Sequence, residues 1–109
     1  MSQRIESYRS LQAELEAVDL DDASAFSRVF ASAHLLLEMT NRDMATALGV
    51  SHPSIGRWVN GTAAPHPVMR RAIARWIRAQ VSTKLGLLER RAAPLSGSGL
   101  LGFPAAAKG

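Results

Sequence analysis

A chain of 109 residues with no cysteine has room for one domain of ordinary size, and it excludes disulfides and thiolate metal sites. At 47% hydrophobic and 20% charged it carries enough apolar material for one modest core, with no run of membrane-spanning length. The formal net charge of +4 hides an asymmetry, because residues 1–38 hold three arginines against seven carboxylates while residues 39–109 hold ten Lys/Arg against Asp43 and Glu89 alone.

From the start of the chain, Met1-Ser2-Gln3-Arg4-Ile5-Glu6 has no apolar signal region behind its charge, which predicts a cytoplasmic protein. Ile5, Tyr8, Leu11, Leu15 and Val18 recur at three- and four-residue steps, the pattern of an amphipathic helix over 4–18. The segment 1–20 is assigned to packing or dimerisation. Asp19 to Asp22 break that helix, and Asp22 is a fitting N-cap for a second one over 23–38, whose inner face is Phe26, Val29, Phe30, Ala33, Leu36 and Leu37.

Thr40 caps a short third helix, with Asp43 in the place where a capping box has Glu or Gln. Gly49 stops it after Leu48, since glycine accepts the left-handed conformation just past a helix end. Ser51 caps a fourth helix over 52–59, with Pro53 in the first turn, where a missing N–H does no harm. Residues 60–67 are dense in turn formers and make a loop. A long helix over 67–85 then offers Val68, Met69, Ala72, Ile73, Trp76, Ile77 and Val81 inward, with Arg70, Arg71, Arg75 and Arg78 mainly elsewhere on a solvated face, flanking DNA or paired with the acidic first helix. Gly86 ends or bends this helix, and 87–91 add a turn or two. Residues 21–91 form the main domain, and 92–109, rich in Pro, Gly, Ser and Ala, a flexible tail. Nothing alternates as a strand does, so the expected fold is all-α, a compact bundle of about five helices.

Two short helices around Gly49-Val50-Ser51 have the layout of a helix-turn-helix. Ala45 is small enough for the second helix to cross closely, and Ile55 and Trp58 share one face that can bury against Met44 and Leu48. His52, Ser54, Gly56 and Arg57 are expected outward, a polar, small and singly basic surface that suits insertion beside base edges.

The stretch Thr40 to Gly61, TNRDMATALGVSHPSIGRWVNG, resembles the helix-turn-helix of the phage-repressor/Cro-like (XRE-type) transcriptional regulators. The resemblance rests on Thr40, Ala45, Leu48-Gly49-Val50-Ser51, Ile55, Arg57-Trp58 and Asn60-Gly61, with Pro65 shortly after; a looser likeness runs over 24–82. It implies a lambda-repressor-like motif within the bundle. It also implies phosphate contacts for Asn41 and Asn60, and base contacts for His52 and Arg57 with Ser54 nearby. A phosphate contact or a plain helix-start role stands beside the base contact for His52; Arg42 and Ser51 are further candidates for phosphate, with a solvated side chain the equal alternative for Arg42. Three positions depart from the family. Pro53 cannot donate, Gly56 removes a potential contact at a cost of about 1 kcal/mol of helix stability relative to Ala, and Val59 replaces the usual acidic residue. Readout then leans on Arg57, whose guanidinium can pair with O6 and N7 of guanine; a phosphate contact or a solvated side chain is the plainer alternative.

The remaining residues have ordinary structural readings. Trp58 and Trp76 fall at core spacing, and His34 belongs at the boundary of its helix. His52 and His66 have no partner at metal-ligand spacing, and no nucleophile has an adjacent base. Neither a metal, a cofactor nor catalysis is expected. The function expected is a sequence-specific regulator of transcription, a repressor acting as a homodimer on a palindromic operator, in the cytoplasm and on the nucleoid when bound to double-stranded DNA. Two alternatives stand beside it: an antitoxin-like or phage accessory protein that also holds a protein partner through the first helix or Leu100–Phe103, and a helix-turn-helix adaptor that has lost DNA.

Overall fold

The structure, a computed structural model, describes residues 2–92. Five helices follow one another: α1 (Ser2–Ala17), α2 (Ala23–Leu37), α3 (Asn41–Leu48), α4 (His52–Asn60) and α5 (Pro67–Ala92), with no strand among the described residues. None of these helices is long and apolar enough to cross a membrane. The tail expected over 92–109 lies outside the described residues, apart from Ala92 at the end of α5.

Each break between helices has a local cause. Asp19 closes a turn by accepting the Asp21 N–H on its carboxylate and the Asp22 N–H on its carbonyl, both at 3.0 Å. The Asp22 carboxylate then takes the Ser24 and Ala25 N–H groups, two of the donors that a helix start leaves without partners. Helix α2 ends on Glu38, which adopts the left-handed conformation at φ 56° without being glycine. Its carboxylate meets Arg4 at 2.9 Å, and that hydrogen bond holds the Arg4 guanidinium above its ordinary pKa.

One continuous core joins all five helices. Tyr8, Leu11 and Leu15 of α1 pack with Phe26, Phe30, Ala33 and Leu37 of α2, Met44 of α3, Ile55 and Trp58 of α4, and Ile73, Ile77, Val81 and Leu85 of α5. Phe26 stacks on Phe30 at 5.5 Å between ring centroids, and Phe30 meets the edge of Trp58 at 5.7 Å. The buried Tyr8 hydroxyl donates to the Leu36 carbonyl at 2.7 Å, satisfying one of the free acceptors at the end of α2. The apolar faces of α1 and α5 pack largely against each other.

Helix α5 departs from expectation in extent and in register. It runs through Gly86 to Ala92, held at its far end by buried Leu85, half-buried Leu88 and an ion pair between Glu89 and Arg9. A methyl group added at Gly86 would meet nothing within 4 Å. Gly86→Ala is therefore expected to stabilise the fold by about 1 kcal/mol, raising the melting temperature by roughly 4–8 °C; a thermal melt followed by circular dichroism checks this. The inward stripe is also rotated from the expected one. Val68 is 66% exposed, Ala72 is exposed and Trp76 only half-buried, whereas Ala74 and Leu85 are in the core.

The rotation brings Arg70 inward, so it is not on a solvated face. Only 9% of it is exposed; its Nε donates to the Pro65 carbonyl and its Nη1 to the Leu20 carbonyl, each at 2.8 Å. The guanidinium thus ties the loop after α4 to the turn before α2. Its spacing from Ile73, Ala74 and Ile77 is the helical one, and that was the available signal. Arg78 donates to the Leu15 carbonyl at 3.2 Å, next to the negative end of the α1 dipole, and Arg71 lies 3.4 Å from Asp21.

Candidate nucleic-acid interface

Helices α3 and α4 are built from short-range chemistry. Thr40 Oγ1 accepts the Asp43 N–H at 3.0 Å and the Asp43 carboxylate accepts the Thr40 N–H at 3.4 Å, a complete reciprocal cap made with aspartate. Gly49 takes the left-handed conformation at φ 70°, and the N–H groups of Gly49 and Val50 both turn back to the Ala45 carbonyl. Ser51 Oγ accepts the Ser54 N–H at 3.3 Å, starting α4, with Pro53 in its first turn. Gly61 at φ 79° ends it, and the Thr62 N–H closes the last turn on the Arg57 carbonyl at 3.0 Å.

Burial divides α4 into two sides. Ile55 and Trp58 are buried and packed against the core, with Met44 and Ala45 of α3 buried and Leu48 half-buried beside them. His52, Pro53, Arg57 and Asn60 are exposed. Arg57 and, on α3, Arg42 form no salt bridge with any described carboxylate, in contrast to Arg4, Arg9 and Arg71. An exposed arginine with all its donors open can take a base edge or a phosphate.

Three candidate residues already hold a hydrogen bond within the protein. Ser54 is half-buried, and its hydroxyl lies 2.7 Å from the Ser51 hydroxyl, so both serve the start of the helix. The reason is angular: Ser54 precedes inward Ile55 by one step of about 100° and falls at the edge of the buried side. Asn41 is also half-buried, and its Oδ1 accepts a hydrogen bond from His34 Nε2 at 2.6 Å. The role of His34 was not visible in its boundary position, because its partner belongs to the next helix.

A groove of about 490 Å³ runs beside α4 on the α2 side, lined by Ser24, Ser27, Arg28, Asn60 and Thr62 among others. Arg28 is exposed and, among the described residues, bridges to no carboxylate. Sequence reasoning counted Arg28 only within the acidic half. The groove adds a cation next to Asn60, at the end of the helix already singled out.

No protein-family model, curated protein or solved structure matches the chain.

Proposed function

We propose that this protein binds double-stranded DNA, with α4 entering the major groove and regulation of transcription as the consequence. The observation that carries the reading is the division of α4: Ile55 and Trp58 are buried while Arg57, His52 and Asn60 remain exposed on a short helix held by caps at both ends. Arg57 has no carboxylate partner among the described residues, which leaves its guanidinium open to a base edge or a phosphate. The resemblance of Thr40–Gly61 to the phage-repressor/Cro-like motif supports the same reading, as does the basic excess after residue 38.

In the proposed complex Arg57 contacts a guanine edge and His52 a base or a phosphate at the start of the helix. Arg42 and Asn60 meet the backbone on either side, with Arg28 adding a contact beyond Asn60. Ser51 and Ser54 contribute less than their outward placement in sequence implied, since their hydroxyls already hold each other. One nine-residue helix gives little affinity alone. The active species is proposed to be a homodimer, acting as a repressor by occupying an operator whose half-sites are about one helical turn, or roughly 10 bp, apart.

The test is fluorescence anisotropy with a labelled random-sequence duplex at low and moderate salt. Binding is expected at micromolar protein or tighter, with affinity falling along a log–log salt slope of about −0.9 for each phosphate neutralised. Arg42→Ala should flatten that slope by about one for each protomer bound. An unbound duplex at micromolar protein and low salt would sink the DNA reading in favour of a protein-binding adaptor.

A further inference from the structure

The His34–Asn41 contact links a residue with no assigned task to the first residue of α3.

The Asn41 carboxamide is held on one side only. His34 Nε2 donates to Oδ1 across 2.6 Å, from near the end of α2 to the start of α3. With the oxygen turned to His34, the NH2 group is directed the other way, toward α4. There it lies against Gly56: a Cβ built on Gly56 would sit 3.7 Å from Asn41 Nδ2, in ordinary contact. The amide nitrogen therefore sits over the one position of α4 that has no side chain, and no described side chain or carbonyl accepts from it. A half-buried NH2 group with a fixed orientation and an open donor is suited to an anionic oxygen arriving from outside.

We infer that His34 is a positioning residue for DNA, fixing the Asn41 carboxamide so that Nδ2 donates to a backbone phosphate at the seam between α3 and α4. This rests on the DNA reading above and assigns the work of two residues within it: His34 orients the amide and Asn41 donates.

The experiment measures anisotropy of a labelled 30-bp duplex with the full chain and four variants, together with their melting temperatures. His34→Ala and Asn41→Ala are each expected to weaken binding by about three- to tenfold, the loss of one oriented donor. The double variant should be no weaker than Asn41→Ala alone, since an absent amide cannot be misplaced. His34→Gln, whose amide nitrogen can stand where Nε2 stands, should recover most of the affinity even where the melting temperature stays low. That recovery separates positioning from general support of the fold. Losses that add in the double variant, no recovery in His34→Gln, or unchanged binding by His34→Ala would each overturn the inference while leaving the DNA reading intact. A duplex unbound by the wild-type chain overturns both.

Discussion

Arg70→Ala is expected to destabilise the protein by about 3 kcal/mol, since two hydrogen bonds from a charged donor are lost and two shielded carbonyls are left without it. The melting temperature should fall by roughly 12–24 °C at that cost. The donors reach the Leu20 and Pro65 carbonyls at 2.8 Å each, from a side chain only 9% exposed, so water cannot readily replace them. Arg70→Met keeps most of the aliphatic stem and removes the donors, separating packing from hydrogen bonding. It should lose nearly as much as alanine. Arg70→Lys retains a charge but offers a single nitrogen where the fork spans two acceptors, and should fall between. Urea unfolding followed by the fluorescence of Trp58 and Trp76 measures all three. An Arg70→Met variant as stable as wild type would show the clamp to be incidental. Because the clamp anchors the loop after Asn60 to the turn before α2, milder variants at 70 should also weaken DNA binding through the groove beside α4.

Arg57→Ala is expected to have the opposite profile, with stability unchanged to within about 0.5 kcal/mol and DNA binding strongly reduced. The side chain is exposed and takes part in no salt bridge among the described residues, and the Arg57 carbonyl that receives Thr62 is backbone and remains in place. On the selected operator the loss should correspond to about 1–3 kcal/mol of discrimination, concentrated at one guanine-containing base pair. Substituting that base pair should weaken the wild type and leave Arg57→Ala almost indifferent. Arg57→Lys keeps the charge without the two-pronged geometry, so it should recover salt-dependent affinity more than base preference. A loss that is equal for every operator variant would move Arg57 to the phosphates. No loss at all would mean that α4 is not the reading helix.

The two short helices α3 and α4 were legible because their determinants are local. Thr40 and Asp43, Gly49, and Ser51 with Pro53 each act within a turn of themselves, so the boundaries of α3 and α4 follow from residues a few positions apart. The inward turn of Ile55 and Trp58 follows from three-residue spacing, and the exposure of Arg57 from its place opposite them. Ser54 is half-buried rather than fully outward, because its polarity does not set its angle: it stands one step from inward Ile55, and its hydroxyl meets that of Ser51. Asn41 is where the resemblance implied it, at the first position of α3, but its dependence on His34 crosses between helices and leaves no periodic trace in the chain.

Helix α5 marks the boundary between the two kinds of information. A stripe of apolar residues names the helix without fixing its rotation, and here packing buries Ala74, the Pro65 and Leu20 carbonyls take Arg70, and Val68 and Ala72 stay outside. Gly86 disfavours a helix by about 1 kcal/mol, a penalty that the buried Leu85 and the half-buried Leu88 outweigh on either side of it. By itself the amino-acid order determined the five helices, their caps and the side of α4 that faces the core, because these are set by interactions within a turn or two. Only the tertiary structure decided which arginine is buried, how far the last helix runs and which way the Asn41 amide points. Each of those depends on groups that are distant along the chain and become neighbours only when the helices pack.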